Sequence, residues 1–425
     1  MTNELFVLIG EHLAGRLTRR DGRLHFTYDD EYRSHRSPTP LSVSMSVQTA
    51  EYTDRFVAPW ITGLLPDNEA VLALWARSFH VANSAFALLG TAIGEDCAGA
   101  VRFVPGERLS AALERAGGVT WLDEAGVASR LRDLRQDETS WLGSDFTGRF
   151  SLAGAQAKTA LLYQNGRWGV PTGAAATTHI LKPAIKGFDD HDLNEHICLR
   201  AARNLGLAVA VTRIETFEDQ SAVVSERYDR SIDGTGWVDR IHQEDLCQAT
   251  GHGPELKYHN EGGPTSTDIV RLLRRVLPGR IADDSVWRFF DALALNWLIC
   301  GTDAHSKNYS LLLSGAQVRL APLYDVASAL PYKVPVEKMR LAMKFGGSYL
   351  LGARSHTMWQ KVASELALPA DAVRERAASL MSRLPDAFAD AARDPDVLRI
   401  GSTLPRRLVD GVAARVEASQ ATLTK

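Results

Sequence analysis

Hydrophobic and polar positions change rhythm along this chain. Residues 4–9 alternate as a strand does when one face lies on a core. Leu24 to Tyr28 does the same after an Asp21-Gly22 pair, so the chain is predicted to open with a β-hairpin. At Leu65-Pro66-Asp67-Asn68-Glu69 the pattern turns helical, with apolar positions at Val71, Leu74 and Trp75 and Asp67 or Asn68 as cap. A further helix is predicted over Asp123 to Arg135. Gly143 to Thr147 is polar and breaks the pattern, which places a domain boundary near residue 145.

Strand-like stretches return at Leu152 to Tyr163, His179 to Leu181 and Ala222 to Glu226, around a helical stretch from Asn194 to Leu205. After residue 240 helices dominate. One runs to about Leu277 behind a Ser266 or Thr267 cap, and a long, largely buried one spans Asp283 to Cys300. A loop, Gly301 to Asn308, leads into strand Tyr309 to Leu313, a Ser314-Gly315 turn and strand Val318 to Leu323, a small hairpin inside the helical part. From residue 355 the pattern is helical again.

Composition changes this picture little. Apolar residues make up 45% and charged residues 23%, ordinary values for a globular chain. A net charge of −3 gives no global pull toward nucleic acid or anionic membrane. Cys97, Cys198, Cys247 and Cys300 lie far apart with no metal-ligand spacing, so buried thiols in a reducing cytoplasm are expected. The start, MTNELFVLIGEHLAG, does not read as a signal peptide, and the apolar stretch Phe289 to Cys300 is too short to span a bilayer. Cytoplasmic location and no membrane partner are therefore expected.

The strongest chemical signal is Thr302-Asp303-Ala304-His305-Ser306-Lys307-Asn308. An Asp followed five residues on by Asn is the spacing of a kinase catalytic loop, with Asp303 as proton acceptor and Asn308 as a magnesium ligand. A second carboxylate, Asp325, follows the hairpin and can meet the same cation beside the phosphates of ATP. Taken alone, Asp303 could as well cap a turn and Asn308 start a strand. Lys182 ends an apolar strand where a lysine neutralises nucleotide phosphates, with Glu195 on the next helix as a candidate partner; a solvated strand end is the plain alternative. Ser151 to Thr159 is a run of small residues whose backbone can approach phosphates closely, or a tight structural turn. Glu226-Arg227-Tyr228 ends a strand where a kinase hinge would meet adenine. His305, inside the loop, is structural or faces phosphate.

The fold class expected from this order is α+β: a bilobal protein-kinase-like fold, β-rich N-lobe and α-helical C-lobe, with an extra N-terminal α/β subdomain. Its boundaries are residues 1–145 for the subdomain (a β-hairpin plus helices), 146–230 for the N-lobe and 231–425 for the C-lobe.

The stretches SLAGAQAKTAL (151–161), THILKP (178–183), NEHICLRAARNLGL (194–207), ERYDR (226–230), QEDLCQ (243–248), NWLICGTDAHSKN (296–308) and LAPLYDVASA (320–329) resemble the HipA family of toxin kinases. LLPDN and GAVRFVP, between Leu64 and Pro105, resemble that family's N-terminal subdomain. The resemblance implies an ATP- and Mg2+-dependent serine/threonine protein kinase, the toxin of a toxin–antitoxin pair. It implies a small helix-turn-helix antitoxin, HipB, that carries the contact to operator DNA. It also implies an aminoacyl-tRNA synthetase, notably the glutamyl enzyme, as protein substrate. Carried over by position, Asp303 is the base and Asn308 and Asp325 are the metal ligands. Ala153, Gly154, Ala155, Gln156, Ala157 and Lys158 form the phosphate loop, and Lys182 binds ATP. Glu226, Arg227 and Tyr228 contact adenine, while His305, Ser306, Lys307 and Tyr324 line the nucleotide site. Ser151 matches the family's autophosphorylated serine.

Three rivals compete with this reading. A small-molecule phosphotransferase uses the same Asp-to-Asn spacing but needs an acidic substrate pocket. A catalytically dead scaffold bridging antitoxin and DNA has no use for a metal-binding pair. A metal hydrolase needs a second histidine at ligand spacing, and none occurs.

Overall fold

Alternation at the start of the chain builds a five-stranded antiparallel sheet. Strands β1 (Glu4–Ile9), β2 (His12–Arg20), β3 (Arg23–Tyr28), β4 (Glu51–Thr53) and β5 (Val101–Val104) stand in the order β4-β3-β2-β1-β5. The computed structural model describes residues 3–143, 146–352 and 355–423. The sequence had suggested two strands here. The intervening β2 shows only Ala14, Gly15 and Leu17 to the interior, too few apolar positions to stand out among its arginines. Helix Glu69–Ser78 starts behind Asn68, whose side chain accepts the Ala70 N–H, and helix Glu124–Gln136 starts behind Asp123.

A second sheet follows. Strands β6 (Gly117–Leu122), β7 (Thr159–Gln164), β8 (Arg167–Gly173), β9 (His179–Lys182), β10 (Thr212–Phe217) and β11 (Gln220–Glu226) take the order β10-β11-β9-β7-β8-β6. One continuous core runs from Leu5 and Phe26 through Trp60, Trp75 and Trp141 to Leu161, Leu181 and Val224. The boundary expected near residue 145 lies at residues outside the described ones, and packing does not divide there: Met1–Pro183, Thr216–Pro254 and Ser310–Arg319 form one compact unit. The strand expected from Leu152 begins only at Thr159. Residues 152–158 are loop, with Gly154 at φ +108, a conformation that L side chains avoid.

Strands β12 (Arg230–Ile232) and β13 (Val238–Arg240) pair with each other. Strand β14 (His242–Asp245) pairs with β15 (Ser310–Ser314), which continues into β16 (Gln317–Leu320). The small hairpin thus groups with the first unit, not with the helices as the sequence order suggested. The reason is the ladder His242↔Leu313 to Asp245↔Ser310, reinforced by the Gly315 N–H donating to Thr39 Oγ1 at 2.7 Å.

The second unit comprises Ala184–Glu215, Glu255–Tyr309 and Leu320–Lys425. It is helical. Helix His191–Asn204, expected with the β-rich part, packs on helices Ala370–Ala392 and Leu404–Ser419 of this unit. Helix Ser266–Val276 is capped by Thr265, one residue before the expected caps, because Thr265 and Asp268 close a reciprocal capping box. Helix Gly279–Leu298 forms the buried spine. Near its end Trp297 lies 5.8 Å from Phe345 and 5.5 Å from Trp359, ring centre to ring centre. A short hairpin, Arg340–Phe345 with Ser348–Leu350, completes the unit.

Candidate functional site

In the second unit, the spine helix stops because Cys300 adopts φ +54 and Gly301 folds back, its N–H donating to Asn296 O at 2.7 Å. A Cβ at Gly301 would collide with Asn296 Oδ1, so a side chain here would have to push that amide aside. The chain then enters Thr302–Asn308, which closes on itself. The His305 N–H donates to Asp303 O at 2.8 Å and the Asn308 N–H to His305 O at 3.0 Å. Asn308 Nδ2 also donates to Asp303 O, at 2.8 Å. That contact fixes which way the amide faces, leaving Oδ1 as an acceptor.

The Asp303 carboxylate is 71% exposed. Its Oδ1 accepts the Tyr258 hydroxyl at 3.0 Å and lies 4.0 Å from His305 Nε2. The Tyr258 ring stands edge-on to His305, centres 5.2 Å apart. Ser306, Lys307 and Asn308 are buried, and Lys257 O accepts Ser306 Oγ at 2.9 Å, so the loop is braced from below.

The segment after the hairpin runs back to this loop. Tyr324 donates its hydroxyl to Lys307 O at 2.6 Å. Ser328 Oγ donates to Ile299 O at 2.6 Å and the Ala329 N–H to Cys300 O at 3.1 Å. Asp325, between these ties, is half-buried at φ +56, a left-handed conformation that costs energy for a residue with a side chain. Residues 303–308 and 325 therefore share one neighbourhood.

No group of three His, Cys, Asp or Glu side chains able to hold a metal occurs among the described residues. Asn308 and Asp325 offer hard oxygen donors, which suit magnesium. A magnesium ion keeps few protein ligands and takes the rest from phosphate and water, so an amide and a carboxylate fit it without a third acid.

In the first unit, the small-residue run is a loop held at its start. Ser151 is fully buried; its N–H donates to Asp96 O at 2.9 Å and its Oγ to Leu64 O at 2.9 Å. The Asp67 N–H donates to Gly154 O at 3.0 Å. Ala153 to Ala157 are half-buried or exposed. Lys158 turns inward, its Nζ donating to Ala153 O at 2.9 Å over the Trp141 ring. Lys182 is buried at the end of β9, opposite Val223 of β11.

At the end of β11 the three expected adenine contacts behave differently. Glu226 is exposed and Tyr228 half-buried, but the Arg227 side chain is 2% exposed and committed elsewhere. It donates to Asp229 Oδ2 at 2.8 Å, Thr177 Oγ1 at 2.8 Å and Cys97 O at 2.8 Å. Arg230 donates to Asp229 Oδ2 at 2.8 Å and Asp96 Oδ1 at 2.9 Å. Burial pushes both carboxyls up, but the guanidiniums outweigh it. Arg230, Arg227 and Arg240 hold Asp96 below the usual carboxylate range, and Arg227 and Arg230 hold Asp229 at about 2. The Arg227 N–H donates to Thr178 O at 2.9 Å as well, so Arg227 can meet a ligand only through its carbonyl. No sequence motif marks this ion cluster, because Asp96 lies far away in the chain. Tyr258 was likewise missed, since no motif marks it.

The fold with this loop is that of the protein-kinase-like HipA proteins. Residues 150–388 match the HipA-like C-terminal domain and residues 5–104 the HipA N-terminal domain. The chain belongs to the HipA family. It is 36% identical to the kinase-named protein Y4mE of Sinorhizobium fredii, over 95% of this chain and 96% of that one. It is 29% identical to the serine/threonine-protein kinase toxin HipA of Shewanella oneidensis, over 79% of this chain and 76% of that one. The solved structure of HipA from Shewanella oneidensis MR-1, in complex with HipB and operator DNA, superposes with a TM-score of 0.83. It has 25% identity over 99% of this chain and 98% of that one. Among the described residues no helix is long and apolar enough to cross a membrane.

Proposed function

We propose that this protein is an ATP-dependent serine/threonine protein kinase and the toxin of a HipA–HipB-type pair. The observation that carries the reading is the closed Asp303–Asn308 loop with Asp325 tied beside it through Tyr324 and Lys307. In this reading Asp303 accepts the proton of a serine or threonine hydroxyl as its oxygen bonds to the γ-phosphorus and the bond to the β-phosphate oxygen breaks, releasing ADP. The exposure of Asp303 suits a base that must meet a protein side chain. Asn308 and Asp325 would hold magnesium, which when bound neutralises charge on the phosphate oxygens. The loop Ala153–Lys158 and Lys182 take the phosphates. Glu226, Tyr228 and the Arg227 carbonyl take adenine, and His305, Ser306, Lys307 and Tyr324 meet the nucleotide in this reading.

Ser151 is the proposed site of self-modification. Its buried hydroxyl must first leave Leu64 O, and a phosphate carrying roughly −2 charge has no room in that seat, so the loop stays displaced and the kinase is silenced. The proposed protein substrate is an aminoacyl-tRNA synthetase such as the glutamyl enzyme. The proposed partner is a HipB-like antitoxin, as in the Shewanella complex, which also carries the contact to operator DNA.

The test is transfer of labelled γ-phosphate from ATP to proteins of a cell lysate. Asp303→Asn is expected to cut transfer by about 10²- to 10⁴-fold. Its melting temperature is expected to stay put, because the side chain is solvent-facing. A D303N protein that labels its target as the starting protein does would end the reading.

A further inference from the structure

Asp325 sits in a left-handed conformation, so something must hold it there. The ties to the catalytic loop described above come from one side. From the other side comes Asn194, three residues behind the first residue of helix His191–Asn204 and fully buried. Its Nδ2 donates to Ser328 O at 2.7 Å and its Oδ1 accepts the Ser328 N–H at 3.0 Å. One side chain thus satisfies both main-chain groups of Ser328, as a neighbouring strand would. The grip reaches further. Asn194 Nδ2 also lies 3.3 Å from the Tyr332 hydroxyl, and Ser328 Oγ passes the link to Ile299 O at the end of the spine helix. A continuous path of hydrogen bonds therefore runs from helix His191–Asn204, through the residues after Asp325, to the helix that launches the catalytic loop.

We infer that Asn194 is a positioning residue for the metal-binding carboxylate: its amide clamp on Ser328 fixes the backbone that aims Asp325. The inference rests on the kinase reading for the role of Asp325, but the clamp itself is a statement about this chain alone. An amide is suited to the task because it donates and accepts at once. A carboxylate of the same shape would meet the Ser328 N–H but repel its carbonyl, and an alkyl group would leave both buried main-chain groups unpaired.

The experiment compares the full-length protein with Asn194→Ala, the isosteric Asn194→Asp, and His196→Gln. His196 is a buried residue of the same helix that bonds to Thr212 Oγ1 at 3.0 Å and lies 3.9 Å from Asp394, away from the clamp, so it controls for simple loosening of the helix. Two quantities are read: binding of a fluorescent ATP analogue across a magnesium titration and in EDTA, and hydrogen exchange of the Ser328 and Ala329 amides. For N194A and N194D the magnesium concentration at half-effect is expected to rise about 10- to 100-fold, the range seen when an outer-shell partner of a metal ligand is lost. Binding in EDTA is expected to hold, exchange at Ser328 and Ala329 to speed at least about tenfold, and H196Q to match the starting protein in both quantities. Unchanged exchange in N194D would overturn the clamp. Faster exchange with an unmoved magnesium curve would overturn the positioning role while leaving the kinase reading intact. A starting protein whose nucleotide binding ignores magnesium would end the kinase reading and the metal role together, and the exchange arm would still report on the clamp.

Discussion

Two charged regions of this molecule use the same residue types to opposite ends. Around Arg227 and Arg230, the side chains of two carboxylates and of three arginines, Arg240 included, are buried, and Asp229 alone accepts from Arg227, Arg230 and the Gly99 N–H. Around Asp303 a carboxylate faces solvent, with the Tyr258 phenol donating to its Oδ1 and His305 Nε2 4.0 Å away. The first region has spent its charges on itself and joins the N-terminal sheet to the end of β11 within one unit. The second keeps its charge available for a reactant. Chemistry is thus to be sought where a charge faces solvent yet its backbone is over-determined, and the catalytic loop meets both conditions.

The comparison is sharpest when each region is broken in turn. D303N is the largest expected effect on activity, with stability untouched, as stated above. In the ion cluster the outcome should invert. Asp229→Ala leaves two buried guanidiniums short of a partner and is expected to cost about 3–5 kcal/mol of folding stability, measured by urea unfolding. Any loss of phosphate transfer in that variant should scale with the unfolded fraction. A D229A protein of normal stability that fails to bind nucleotide would show that the cluster belongs to the site after all.

Much of this division was legible in the sequence and some was not. The Asp303-to-Asn308 spacing, the following strands and Asp325 announced their shared neighbourhood, because those elements are close in the chain and their local geometry brings them together. The helix starts at Asn68 and Asp123 were readable for the same reason. What could not be read depends on partners far apart in sequence. The Glu-Arg-Tyr-Asp-Arg stretch looks like a polar strand end until Asp96 is placed against it. The seat of the small hairpin depends on β14, a strand of mixed polarity whose role shows only in its pairing with β15. The helix starting at His191 carries the rhythm of any half-buried helix, and nothing in its pattern says which unit receives it. Asn194 is invisible for a similar reason: a buried asparagine in a helix declares its function only through Ser328, far along the chain.

A smaller effect is expected at the Tyr258 phenol. Tyr258→Phe keeps the ring on His305 and removes only the hydroxyl that Asp303 Oδ1 accepts. A hydrogen bond to a charged but solvated group is a modest contribution, so kcat/KM for protein phosphorylation should fall by less than about tenfold with no change in melting temperature. A drop as large as that of D303N would mean that Asp303 is held as tightly as the buried carboxylates, and the contrast between the regions would weaken.

The smallest effect concerns a third way of keeping a carboxylate, in β14. Glu244 is buried without a cation, accepting the Val43 N–H at 2.8 Å and the Trp60 indole N–H at 3.1 Å. Burial is the dominant influence and raises its pKa to about 7, only partly offset by the Ser42 hydroxyl and those two donors. His242, two residues earlier, is buried as well and its pKa falls to about 4. The signs oppose each other. An acid whose folded pKa is raised stabilises the fold at low pH and loses that contribution as pH climbs from about 4.5 to about 7. A histidine whose folded pKa is depressed contributes above about 6.5 and loses that contribution as pH falls toward about 4. Glu244→Gln removes the first term and leaves the second. The difference in unfolding free energy, E244Q minus starting protein, should therefore rise between about pH 4.5 and about pH 7 and then level off, as followed by urea unfolding at a series of pH values. A difference curve that is flat over that range would mean that Glu244 is ionised throughout, held by its two N–H donors as firmly as Asp229 is held by its guanidiniums, and that burial without a cation is no penalty here.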